Sequence, residues 1–188
     1  MENWNACFVP ECYFDTVLFK KILQTNKRLK HTKGCYNVIN RFRNVNGKKG
    51  DLYDSFGVGM VDKDKSELDF LNECNVLGST ENMLLWKHKE RPHFIIQLTP
   101  PVEGWVIEIM KSVNLSLREF GYPFTPKLLK KALKDDIDSE NNEKLNKLIN
   151  GILSSGNQTV EILKEILLHL RDENVNANIE QLKRILAN

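Results

Sequence analysis

Four acidic side chains in two short clusters are the residues of this chain best placed to do chemistry. Glu11 and Asp15 follow an apolar run in Cys7-Phe8-Val9-Pro10-Glu11-Cys12-Tyr13-Phe14-Asp15. Asp62 and Asp64 follow another, in Gly57-Val58-Gly59-Met60-Val61-Asp62-Lys63-Asp64-Lys65. Acids at the carboxyl ends of neighbouring strands in an α/β sheet point into one crevice, where ligands bind. Their oxygens are hard donors that suit Mg2+ or Mn2+. The Asp62-x-Asp64 spacing puts both side chains on one strand face, where they can share an ion or its water shell. Asp15 also reads as a helix cap, worth about 1 kcal/mol. Lys63 and Lys65 offer the two aspartates an ordinary turn pairing.

The elements that would position these acids follow from apolar periodicity. Residues 8–9 read as a short buried strand, and residues 16–24 as a helix with Val17, Leu18, Ile22 and Leu23 on its stripe and Asp15 or Thr16 as its N-cap. Residues 35–39 read as a strand, 44–50 as a loop, 52–56 as a short helix and 57–61 as a strand. A helix over 66–75, strands over 83–86 and 93–98, and a helix over 102–110 that opens after Pro100-Pro101 complete the series. This alternation predicts an α/β fold, Rossmann-like, with a largely parallel sheet flanked by helices. From about residue 115 the pattern is helical throughout, with helices opening at Thr125-Pro126 and over 139–153, 157–171 and 178–187. The division expected is an α/β domain over 1–114 and a helical extension over 115–188. The apolar stripes of the extension (Ile162, Ile166, Leu167, Leu170; Ile179, Leu182, Ile185, Leu186) read as core, with a docking or self-association surface as the alternative.

Composition narrows the class. The 188 residues are 41% hydrophobic and 28% charged, which fits a globular chain and excludes a disordered one. No apolar run approaches the roughly 20 residues of a membrane span, and no signal peptide is evident, so a cytoplasmic protein is expected. Cys7, Cys12, Cys35 and Cys74 lack metal-ligand spacing and read as reduced packing thiols. The net charge of +2 conceals a basic segment. Residues 20–50 hold ten Lys or Arg and no acid, leaving 17 basic against 25 acidic residues elsewhere. Within it Lys27, Arg28, Lys30, Lys33, Arg41, Arg43, Lys48 and Lys49 are candidate phosphate contacts for a nucleic acid, and Tyr36 and Phe42 candidate base-stacking rings. A solvated basic face is the plainer reading.

Taken together and in this order, the two clusters resemble the TOPRIM domain of topoisomerases, primases and the overcoming-lysogenization-defect nucleases. Glu11 matches the motif glutamate, Asp15 the acid four positions on in the nuclease branch, and Asp62 and Asp64 the D-x-D pair. Pro100-Pro101-Val102-Glu103-Gly104-Trp105 is similar to a segment of small stand-alone TOPRIM-like proteins. The resemblance covers roughly residues 6–113. Cys12 stands where the family usually has glycine after the glutamate.

The resemblance implies a TOPRIM-type sheet and Mg2+- or Mn2+-dependent cleavage of a phosphodiester in nucleic acid. Glu11, Asp62 and Asp64 would be catalytic and, with Asp15, would hold the metal. Glu103 reads as a further ligand or as a first-turn helix carboxylate. Lys87, Lys89 and Lys111 are candidate charge stabilisers. The alternative is a non-catalytic TOPRIM-like module that binds nucleic acid or a partner through its helical tail. A haloacid-dehalogenase-like phosphatase or a sugar-nucleotide transferase using D-x-D ranks below both. The chain has no G-x-S-x-G elbow and no phosphate loop, and His31, His88, His93 and His169 have no partner evident from spacing.

Overall fold

The computed structural model describes residues 4–27, 29, 31–63, 68–123, 125–134 and 141–187. It is an α/β fold built on a five-stranded mixed sheet with flanking helices and a helical carboxyl-terminal region. The strands are β1 (Phe8–Val9), β4 (Gly57–Asp62), β5 (Cys74–Thr80), β6 (Met83–His88) and β7 (His93–Leu98), in the order β1-β4-β7-β6-β5. A separate hairpin, β2 (Asn44–Val45) and β3 (Lys48–Lys49), stands apart. The helices are α1 (Tyr13–Ile22), α2 (Cys35–Asn40), α3 (Val102–Ser112), α4 (Pro126–Lys134), α5 (Glu143–Leu153), α6 (Gln158–Glu173) and α7 (Ile179–Leu186).

Only half of the sheet is parallel. β1, β4 and β7 run together, whereas β6 and β5 pair antiparallel, which corrects the largely parallel expectation. The connections explain it. Only Glu81 and Asn82 separate β5 from β6, and residues 89–92 separate β6 from β7. A parallel crossover needs a dozen residues or more, so these links force antiparallel pairing.

Period-2 alternation splits the buried strands between two cores. Phe8, Val58, Met60, Phe94, Ile96 and Leu98 join one cluster with α1, α3 and the carboxyl-terminal helices. Val9, Val61 and Ile95 join the other with α2 and Phe70. By this parity Asp62 leaves the sheet on the Val58–Met60 face, the one that α1 and α3 cover. Leu145, Leu148, Ile149, Ile166 and Leu170 share the core of Phe14 and Leu18, so the tail packs directly onto α1. The tail stripes are buried, the core reading rather than the docking one, and Ile179 is partly buried. Arg171 ties the tail down by donating to the Leu23 carbonyl at the end of α1 (3.2 Å).

Five local expectations need correction. Residues 35–39 are helical, not extended: Cys35, Val38, Ile39 and Phe42 form a 3.6-period stripe and are all buried, while Tyr36 is exposed. The "loop" over 44–50 is a hairpin whose turn, Asn46-Gly47, takes the positive φ values (51° and 82°) of the two-residue hairpin connection. Residues 52–56 form turns and no helix. Where a helix was expected over 66–75, a short 3-10 stretch (Asp69–Glu73) runs straight into edge strand β5. α1 also begins earlier than expected, with Cys12 as its N-cap residue.

Glycine in β4 lets α2 lie close to the strand that carries Asp62. A Cβ on Gly57 would stand 2.5 Å from Phe42 Cε1, and Phe42 is fully buried and has nowhere to go. Gly57→Ala is therefore expected to lower unfolding free energy by about 1–3 kcal/mol, the usual cost of overpacking. Urea unfolding at neutral pH measures it, and an unchanged midpoint would contradict the close approach. Among the described residues, no helix is long and apolar enough to cross a membrane.

Candidate carboxylate site

The parallel half of the sheet brings Glu11 and Asp62 together. β1 and β4 are neighbours, with Val9 opposite Gly59, so both chains leave the sheet on the same side. Glu11 Oε2 accepts the backbone N–H of Asp62 (2.9 Å). Asp62 Oδ1 in turn accepts the N–H of Val102 (2.8 Å), the first residue of α3. Pro101, at the cap position of α3, has no side chain able to hold that first-turn donor, so a residue 40 positions upstream does it. Glu11, Asp62 and the start of α3 are thus joined in series. Glu11 is 9% exposed, Asp62 5% and Asp15 3%.

The segment that opens α3 is shaped for this junction. A Cβ on Gly104 would fall 2.6 Å from Pro100 Cγ, so glycine is what lets the Pro100-Pro101 corner fold against the first turn. Glu103 lies in that turn, with Lys130 Nζ of α4 at 4.0 Å from its carboxylate. It occupies the helix position where a negative charge is favoured in any case.

Asp15 takes a different position from the cap expected of it. Cys12 is the N-cap residue, and Asp15, three residues on, accepts the Cys12 N–H through Oδ2 (3.0 Å), half of a capping box. The Cys12 thiol is buried beside it. Burial, then the charges of Asp15 and Asp62, push its pKa well above the ordinary value. Cys12 therefore stays protonated at neutral pH and is not a nucleophile.

The other candidates distribute as follows. Asp64, Arg28 and Lys30 lie outside the described residues. Lys27, Lys33 and Lys48 are exposed. Lys49 pairs with Asp54 (2.7 Å) and Arg43 donates to Asn40 (2.9 Å). Arg41 is 8% exposed and holds Asp51 through two hydrogen bonds and the Ala6 carbonyl through a third, so its role is to fasten loops. Phe42 is core and takes no base. Lys87 faces Phe94 in the sheet register, while Asp62 faces Leu98, about 13 Å further at roughly 3.3 Å per residue. Lys89 lies beyond it and donates to the Asn72 carbonyl (2.9 Å). Lys111 is nine residues along α3 from Val102, about 13 Å at 1.5 Å per residue, on a cavity of about 740 Å3 that it shares with Asn82, Glu108 and Ser112. None of the three lysines stands at the carboxylates.

Sequence reading passed over two rings that do. Thr32 donates its N–H to the Pro10 carbonyl (3.1 Å), laying residues 31–33 across the end of β1. His31 then stacks on Tyr13, with centroids 4.2 Å apart and planes 23° apart. Burial lowers the His31 pKa, a hydrogen bond to the Glu11 backbone opposes this, and the Lys33 charge adds to the lowering. No local signal marks the pair, because the contact depends on a loop returning to the strand end.

The fit to a divalent cation rests on donor chemistry. Among the described residues, no group of three or more His, Cys, Asp or Glu is placed to hold an ion. Mg2+ commonly takes only one or two protein carboxylates, with water and phosphate oxygens completing its shell. Glu11 and Asp62 fit that mode, since a carboxylate has about four lone-pair sites and can accept a backbone N–H while it ligates an ion. No protein-family model, curated protein or solved structure matches the chain.

Proposed function

We propose that the chain is a TOPRIM-like phosphodiesterase that cleaves nucleic acid with Mg2+ or Mn2+. The observation that carries this reading is the Glu11–Asp62 juxtaposition at the ends of two adjacent parallel strands, with Glu11 Oε2 2.9 Å from the Asp62 nitrogen. A bound divalent ion would polarise the phosphoryl oxygens and make a water molecule a competent nucleophile at neutral pH. Glu11 and Asp62 would hold it. The amino-terminal ends of α1 and α3 lie at the same strand ends, and their partial positive charge favours a phosphate there. Exposed Lys27 and Lys33 would follow the backbone through sequence-independent contacts.

The test is cleavage of end-labelled DNA and RNA by the full chain with Mg2+, Mn2+ or EDTA, beside thermal melts in the same solutions. Metal-dependent cleavage and a metal-dependent rise in melting temperature are expected, since a ligand of the native state stabilises it. The absence of both effects with both ions would overturn the proposal.

A second reading has its own support. Asp62 Oδ1 caps α3 and Glu11 braces the Asp62 backbone, roles that need no metal, and Cys12 occupies the family's glycine position. On that reading the chain is a non-catalytic TOPRIM-like module, and it binds nucleic acid or a partner without turnover.

A further inference from the structure

The Tyr13–His31 pair has no task in the phosphate chemistry above. Both rings are only partly buried, in a molecule whose large aromatic side chains are mostly sealed in the core. They sit beside the acids: Tyr13 is the first residue of α1, two after Glu11, and the bond from the Thr32 N–H to the Pro10 carbonyl holds the His31 segment at the end of β1. Their planes are 23° apart at 4.2 Å, so each ring covers one face of the other and a third ring would meet the outer face of the stack. Lys33 is exposed two residues further on.

From this we infer that Tyr13 and His31 form the base-contacting wall of the carboxylate site, and that its substrate is single-stranded nucleic acid. The inference rests on the phosphodiesterase reading and adds the substrate class to it. A base in a duplex is already stacked on both sides and cannot lie on a protein ring, whereas an unpaired one can. Stacking tolerates any base, because every base has a π face. Exposed Lys33, two residues after His31, would meet a phosphate next to the stacked base. Of the two rings suggested by the basic segment, Phe42 is sealed in the core and Tyr36 is exposed on α2.

Fluorescence anisotropy with a labelled single-stranded oligonucleotide, in EDTA so that nothing is cleaved, tests the wall separately from the chemistry. Tyr13→Ala and His31→Ala are each expected to raise Kd about tenfold, and Tyr13→Phe to stay within about twofold of wild type, the range set by loss of one stacked base. A duplex of the same sequence is expected to bind wild type weakly and the three variants equally. Circular dichroism melts show which variants are folded, and Tyr13→Phe supplies a comparison that keeps the ring. Equal Kd values for wild type and folded Tyr13→Ala would overturn the inference, as would duplex binding as tight as single-strand binding. Wild-type turnover of bis(p-nitrophenyl) phosphate with Mn2+, a diester without bases, reports on the phosphodiesterase reading alone. Its presence with unaltered oligonucleotide binding would remove the wall and leave that reading standing. Its absence would count against that reading whatever the anisotropy shows.

Discussion

Glu11→Gln and Asp62→Asn are each expected to slow metal-dependent cleavage by about 10²–10³-fold, the usual loss when one electrostatic element of a reaction centre is removed. Both replacements keep the shape and an acceptor oxygen. The amide introduced by Glu11→Gln can still take the N–H at position 62, and the one introduced by Asp62→Asn can still take the Val102 N–H. Melting temperatures should therefore stay near that of wild type. Asp62→Ala differs. It removes the oxygen that caps α3 and is expected to cost a further 0.5–2 kcal/mol, about the value of a helix cap. The two Asp62 variants separate charge from capping. If Asp62→Asn cleaves like wild type while Asp62→Ala merely melts earlier, Asp62 is a structural fastener and the non-catalytic reading gains. Single-turnover cleavage at saturating Mn2+, beside urea unfolding, makes the comparison.

Stability is expected to fall steeply between pH 6.5 and 4 because of His93, at the far end of β7 from Leu98, the residue paired with Asp62. His93 is 0% exposed and packs against Phe42 and Phe70, with its Nε2 at 2.9 Å from the Leu52 carbonyl oxygen. Burial holds its pKa at about 4, the Leu52 carbonyl opposes this, and the charges of His88 and Arg91 add to it. Above pH 6.5 the ring is neutral in both folded and unfolded chains and contributes no difference. Between 6.5 and about 4 the unfolded chain takes up a proton that the native one refuses, so stability falls as pH falls. Below about 4 both are protonated and the loss is complete, at roughly 3 kcal/mol. Neighbouring His88 is shifted the same way by burial, with the Glu73 carboxylate opposing and Arg91 and Lys87 reinforcing. Urea unfolding of wild type and His93→Phe from pH 7.5 to 4 isolates the effect from that of the carboxylates. The difference between them should shrink or change sign toward acid. Parallel curves would show that His93 does not titrate in this window.

Local reading worked where a segment's pattern answers to its own neighbours. The strands of β4, β6 and β7 and the helices α3 to α7 were legible because apolar period and cap residues act within about ten residues. It fails at residues 35–39, where β-branched Val38 and Ile39 favour a strand, although the positions 35, 38, 39 and 42 spell a helix face. It also failed at β5, an edge strand with a mostly solvent-facing pattern and therefore little apolar alternation. The basic segment is partly neutralised across its boundary. Asp51 and Asp54 stand just past residue 50, and they pair with Arg41 and Lys49.

For the site, the sequence alone determined that Glu11 and Asp62 end short apolar strands, and that Pro100-Pro101 opens a helix. These are facts about neighbours in the chain. Only the tertiary structure decided that β1 lies beside β4 and β4 beside β7, which joins Glu11 to Asp62 and Asp62 to Val102. It alone brought His31 over Tyr13, sealed Arg41 against Asp51, and left Lys87 at the other end of the sheet. The reason is physical: strand order and loop placement minimise a free energy summed over two cores and the whole chain, so no window of ten residues contains them.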